Sequence, residues 1–205
     1  MIALGSPRLI VLSDTTRAPA AVLLQRYDAL ARSATAGSVL FLVRDYRLSV
    51  RARLELAVQI RALARRSGQR FGVADRADLA LALDADAVHL PESGLDIADA
   101  RRYLGPAVFI SRACHDPSRA TELGADAVLL SPIFAPRKGR PPLGPAALSL
   151  VRAETKGPAL YALGAVDADN AEACLTFGAR GVAVIGAALS SGPERLLKAL
   201  KISRH

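Results

Sequence analysis

The sequence predicts an α/β protein built as a closed parallel barrel of eight strand-then-helix units, with a doubly wound open sheet as the other arrangement that the same alternation allows. Three observations lead there. About eight short apolar runs recur along the chain, longer stretches with helical periodicity separate them, and one junction is used repeatedly. The runs are residues 8–12, 38–43, 70–73, 85–90, 107–111, 126–130, 158–163 and 180–185. Each is too short for a helix and none alternates apolar with polar, as expected of parallel strands buried on both faces.

The elements between the runs follow in order. The clearest helix is predicted over residues 52–67, where Leu54, Ala57, Val58, Ile60, Ala62 and Leu63 fall on one side. Arg51, Arg53, Arg61, Arg65 and Arg66 fall largely elsewhere and read as a solvated outer face. Leu83-Asp-Ala-Asp-Ala-Val88, Leu123-Gly-Ala-Asp-Ala-Val128 and Phe177-Gly-Ala-Arg-Gly-Val182 all read as helix end, tight turn, then buried strand. Gly124 and Gly178 suit the left-handed stop after a helix. Residues 132–145 form the longest irregular stretch, with five prolines around Arg137, Lys138 and Arg140. A loop of that length inside a compact domain is commonly an active-site lid. No Pro-, Gly- or Ser-rich linker divides the chain, so residues 1–205 are expected to form one barrel domain.

Composition narrows the function classes. The 205 residues are 51% hydrophobic and 22% charged, enough for a full core without disulfides, so disordered and disulfide-scaffold classes are excluded. Two cysteines, Cys114 and Cys174, lack metal-ligand spacing and fit a reducing cytoplasm. The net charge of +8 is compatible with nucleic acid or anionic metabolites, but with no Trp and 4% aromatics there is little to build base-stacking platforms. Small phosphorylated ligands come first. No apolar run is long enough to span a membrane, and the protein is expected to be soluble, without a targeting segment, in the cytoplasm.

In such a barrel the functional groups gather on loops after the strand C-termini. There the chain offers Arg44, Asp75, His89, Glu92, Arg112, His115 and the basic stretch 137–140. Strand-to-Gly turns at Gly164 and Gly186 suggest a phosphate cradle made from backbone N–H groups, with Asp167 capping the next helix. His115 can take and give a proton near neutrality, as an isomerisation requires. Cys114 is its neighbour on an extended segment, so the two side chains point to opposite faces and are not expected to form a nucleophile pair. His89 lies in an apolar strand and reads as a core histidine. Asp75 is the best single carboxylate for Mg²⁺ at this rim.

Val43-Arg44-Asp45, residues 74–80, residues 85–90, Leu130-Ser131-Pro132-Ile133-Phe134, Pro142-Leu143-Gly144, Ala162-Leu163-Gly164 and Gly181-Val182-Ala183-Val184 occur in this order along the chain. With them the chain resembles the superfamily shared by thiamine phosphate synthase and TenI, over nearly its whole length. The resemblance implies a (β/α)8 barrel with a thiazole phosphate bound at its rim. Leu42, Tyr46, Ala74, Gly94 and Pro136-Arg137-Lys138 depart from the synthase pattern, where polar residues, a second magnesium aspartate and threonines stand. Leu90-Pro91 and Arg112-Ala113-Cys114-His115 are similar to the TenI branch.

That branch implies a tautomerase aromatising a thiazole carboxylate phosphate, needing no cofactor. His115 would move the proton, Arg44, Arg112 and Lys138 would face the anionic substrate, and Gly164, Ala165, Val166, Ile185 and Gly186 would hold its phosphate. Ala165 and Gly186 depart from the pattern of the phosphate turns, which has Gly and Ser there. The alternative is a synthase joining a pyrimidine diphosphate to a thiazole phosphate with Mg²⁺, for which Asp75 is the candidate ligand. A third reading, from another class, is a non-catalytic phosphate-ligand-binding regulator. The expected partner is a small thiazole phosphate, with neither nucleic acid nor membrane, and a homo-oligomer is left open.

Overall fold

The computed structural model describes residues 6–121, 124–152, 157–190 and 193–204; Met1 to Gly5 of the N-terminal reading and Leu123 of the repeated junction lie outside them. Eight strands, β1 (Leu9–Leu12), β2 (Val39–Val43), β3 (Arg70–Ala74), β4 (Ala87–Leu90), β5 (Phe109–Cys114), β6 (Ala127–Leu130), β7 (Ala159–Leu163) and β8 (Gly181–Val184), close into a barrel in chain order. Every neighbouring pair is parallel, and β1 pairs with β8 to complete the ring. The helices are α1 (Ala20–Ser33), α2 (Val50–Arg66), α3 (Ala77–Ala82), α4 (Ile97–Leu104), α5 (Ala146–Arg152), α6 (Ala171–Thr176) and α7 (Glu194–Ala199). The closed barrel expected from the sequence is the one observed, and the open sheet is not.

Both faces of the strands are buried because they pack two different cores. Ile10, Leu12, Leu40, Leu42, Leu129 and Tyr161 fill the barrel interior, while alternate residues such as Leu9, Val11, Val39, Phe41 and Val128 pack against the helices. This is why the strand runs read as continuously apolar. Between β5 and β6 the chain forms a 3₁₀ turn, Pro117–Arg119, and no α-helix is found there among the described residues. No described helix is long and apolar enough to cross a membrane.

Helix α2 corrects the sequence reading on two counts. It starts at Val50, with the Ser49 hydroxyl accepting the Ala52 N–H as a cap. Leu54 and Val58, expected on the buried side, are 37% and 50% exposed, whereas Arg53, expected on the solvated side, is only 6% exposed. The Arg53 guanidinium donates to the carbonyls of Val43 and Ala74, the last residues of β2 and β3. It also stacks over the Tyr46 ring, 5.4 Å from its centroid. A buried cation thus bonds the carbonyls at the ends of β2 and β3 and packs against an aromatic ring at the barrel rim.

Candidate functional site: two adjoining cavities at the barrel rim

The C-terminal ends of the strands carry two cavities that share Arg137, Leu163, Gly164 and Ile185. The first, about 590 Å³, is built on two chain segments, residues 163–169 from the end of β7 and 183–187 from the end of β8, and is completed by residues of the β1 loop, the 132–145 loop and the stretch 190–196; we call it the backbone cavity. Gly164 adopts φ +112°, and a Cβ there would lie 3.0 Å from the Ile133 nitrogen and the Pro132 Cα, so only glycine fits. The close approach is needed because the Ile133 and Phe134 N–H groups donate to the Leu163 and Gly164 carbonyls at 3.0 Å, fastening the foot of loop 132–145 to β7. Ala165 holds φ +55°, a left-handed conformation costly for an L-residue with a Cβ. Gly164, Ala165, Val166, Ile185 and Gly186 all line this one cavity. Asp167 caps no helix; its carboxylate accepts the Asp169 N–H at 3.0 Å within the turn before α6.

The second cavity, about 360 Å³, is lined by side chains from many loops. Arg44, Asp75 and His115 all reach it, as does Lys138 from the far loop. The tip of that loop is a tight turn in which Arg137 and Arg140 exchange backbone hydrogen bonds at 3.0 Å, so Arg137, Lys138 and Arg140 are presented together. Arg44 is also paired with Asp14 at 3.0 Å and stacks over Tyr46. Asp75 has φ +58°, and among the described residues its carboxylate makes no hydrogen bond or ion pair. Its neighbour Arg76 turns away to Asp78.

His115 is oriented on three sides. Its backbone N–H donates to Glu92 at 3.2 Å, and its ring Nδ1 lies 2.7 Å from the Ser131 carbonyl and 3.2 Å from the Ser131 hydroxyl. A carbonyl only accepts, so Nδ1 carries the proton, and in the neutral ring Nε2 is the basic nitrogen. Cys114 takes no part: its buried thiol donates to the Asp116 carbonyl at 3.0 Å, and burial pushes its pKa up. His89 lies beneath the cavity with Nδ1 3.0 Å from the Ser111 hydroxyl. Burial first, then the charges of Arg44 and Arg112, bring its pKa down to about 4, so it is neutral at pH 7.

Arg112 is the site residue that the structure removes. Side chains alternate along β5, and Ala113 and His115 face the cavity, so Arg112 points to the helix layer. There it is 6% exposed and donates to the carbonyls of Pro91, Glu92 and Leu95. It braces the loop that presents Glu92 to His115. Two arginines were missed by sequence reasoning: Arg17, on the loop after β1, and Arg195, in α7, both line the backbone cavity. Arg17 was within reach of the rule that selects loops after strand ends; Arg195 comes from a helix and carried no such signal.

The carboxylates can be tested against a magnesium ion. Among the described residues no three His, Cys, Asp or Glu side chains gather into a metal cluster. A magnesium held between phosphate oxygens needs only one or two carboxylates, and Asp75 and Glu92 both line the second cavity, so the donor set fits that mode. Gly94 cannot hold an acidic side chain as it stands, because a Cβ there would come 2.7 Å from the Pro91 ring.

The family described as thiamine monophosphate synthase matches residues 11–188 of the chain. A thiamine-phosphate synthase of Chlorobium luteolum is 34% identical over 202 residues, covering 95% of this chain and 92% of that one. One of Methanoculleus marisnigri is 40% identical over 170 residues, 80% of each chain. Against a longer thiamine-phosphate synthase of Gloeobacter violaceus the chain is 35% identical but spans 47% of that protein. Among solved structures, thiamine phosphate pyrophosphorylase from Pyrococcus furiosus superposes with a TM-score of 0.81 at 27% identity, covering 97% of both chains.

Proposed function

The chain belongs to the thiamine monophosphate synthase family, and from that premise we propose that it is an enzyme of thiamine biosynthesis that joins a pyrimidine diphosphate to a thiazole phosphate and releases pyrophosphate. One observation carries the choice: the rim holds two adjoining anion-compatible cavities, and the second is lined by Arg44, Arg137, Lys138 and Arg140 together with Asp75. Two substrates that each bring phosphate need two such cavities; a tautomerase with one phosphorylated substrate needs one. The sequence reading put the tautomerase first, whereas the curated relatives are named as synthases.

In this proposal residues 1–205 form one barrel domain with 132–145 as its lid. The backbone at Gly164, Ala165, Val166, Ile185 and Gly186 holds the thiazole phosphate. Lys138, with Arg137 and Arg140, meets the diphosphate, and their charge stabilises the negative charge that builds as the carbon–oxygen bond to the leaving group breaks. Arg44 lines the same cavity from the end of β2. Asp75, with Glu92, is where Mg²⁺ would be held, and the ion would neutralise diphosphate charge there. The test is release of pyrophosphate from the two substrates with Mg²⁺; no release at saturating substrate would overturn this reading.

A second reading rests on His115. With Nδ1 committed to Ser131, Nε2 is set as a base at the cavity, which suits a tautomerase and has no assigned step in the coupling reaction. Turnover of the thiazole carboxylate tautomer, lost in His115→Ala, would favour it; an unchanged rate in that variant would remove it.

A further inference from the structure

At the end of β8 the backbone cavity receives no polar side chain, since Gly186 contributes none and its neighbours Ile185 and Ala187 are apolar; Ser190 and Arg195 enter from farther along the chain. The space that a side chain at 186 would enter is taken by Arg17: a Cβ built on Gly186 would lie 3.2 Å from the Arg17 NH1. Arg17 comes from the opposite side of the barrel seam, on the loop between β1 and α1, and it lines the same cavity. Its guanidinium has a built orientation, with Nε toward Asp14 at 3.7 Å. Asp14 is held in turn by Thr16 and by the Arg44 guanidinium at 3.0 Å.

The other cations of this cavity have other ties. Arg195 is paired with Asp169 at 2.5 Å, and Arg137 belongs to the turn between the two cavities. Arg17 has the long, shared pairing, since its carboxylate already holds Arg44 at shorter range, and its side chain is half exposed. A dianion placed over the Gly164 and Gly186 backbone would therefore find NH1 already above residue 186, with no competing short ion pair to break. A guanidinium there also supplies the planar, two-point contact that suits phosphate oxygens.

We propose that Arg17 is a binding residue for the phosphate monoester in the backbone cavity, supplying from the β1 loop the side-chain contact that glycine at 186 cannot make. The inference rests on the reading of this cavity as the thiazole phosphate site and adds a residue to it. It also gives Asp14 a purpose, since one carboxylate orients Arg17 for the first cavity and Arg44 for the second.

The test is calorimetric binding of the thiazole phosphate and of its dephosphorylated alcohol to the full-length protein. Arg17→Ala is expected to bind the phosphate about tenfold more weakly, the loss of one charge-assisted contact, with the alcohol unchanged. Arg17→Ala combined with Gly186→Ser is expected to regain most of that affinity, because the serine hydroxyl enters the vacated space. Arg17→Lys should fall between wild type and alanine, since the charge remains and the fork is lost. Arg17→Ala that binds the phosphate as tightly as wild type, or that loses affinity equally for ester and alcohol, overturns the proposal. Wild-type protein that binds neither compound would overturn the reading of the cavity itself and the proposal with it.

Discussion

The cavity after β7 and β8 takes most of its lining from two continuous segments, 163–169 and 183–187, while its neighbour is assembled from residues at the ends of all eight strands. The main-chain cavity is fixed by folding: once Ile133 and Phe134 bond to the end of β7, Gly164 has one place to be. The side-chain cavity depends on which long residues turn inward, and on what orients them, as Arg44 depends on Asp14 and His115 on Glu92 and Ser131. Arg17 apart, binding in the first should tolerate side-chain substitution, and chemistry in the second should not.

The largest effect expected from breaking that contrast is at Lys138. Lys138→Ala should lower the rate of pyrophosphate release about 100-fold, the scale of one preorganised charge at a developing anion, while thiazole phosphate affinity stays within about twofold. Equal losses in rate and in affinity would mean that the two cavities do not divide the work.

The next is smaller and concerns the floor of the side-chain cavity. His89 is neutral in the folded protein down to about pH 4, but takes up a proton near its ordinary value of 6.5 when unfolded. Above 6.5 it contributes nothing to the pH dependence. As the pH falls from 6.5 toward 4 the unfolded chain binds the proton first, so stability is lost, by about 2 kcal/mol between pH 7 and pH 5. His89→Gln should remove that part of the slope in chemical unfolding measured at the two pH values; equal slopes would show that His89 is protonated in the folded state.

The smallest lies in the backbone cavity. Ala165 is held in the left-handed region, so Ala165→Gly should raise stability by about 1 kcal/mol without weakening phosphate binding. A fall in stability would mean that the alanine methyl contributes packing that outweighs the backbone strain.

How much of this was legible in the sequence follows from the same division. The strands and the glycine turns could be read because both depend on local chemistry: apolar runs buried on two faces, and backbone conformations that favour glycine. Arg53 shows what was not. Its position continues the buried series Leu56, Ala57, Ile60, Leu63 and Ala64, yet it was read as part of the solvated face. Residue type argued against burial, since a charged side chain is seldom buried unless paired, and its partners, the carbonyls ending β2 and β3, exist only once the barrel closes. Arg112 failed in the opposite sense. It sits at the right end of the right strand, but the alternation that places Ala113 in the cavity sends Arg112 to the far face. Arg17 lay on a strand-end loop, yet its value depends on the bareness of Gly186, some 170 residues away along the chain.

Tyr46, which lines the side-chain cavity with the Arg44 and Arg53 guanidiniums over its ring, has a consequence in optics. The chain has no tryptophan and four tyrosines, of which Tyr27 and Tyr161 are sealed in the core. Ultraviolet emission from this protein is therefore tyrosine light alone, and Tyr46 is an emitter in the wall of the cavity. Filling that cavity changes the surroundings of a chromophore the molecule already carries, so occupancy can be followed without attaching a dye.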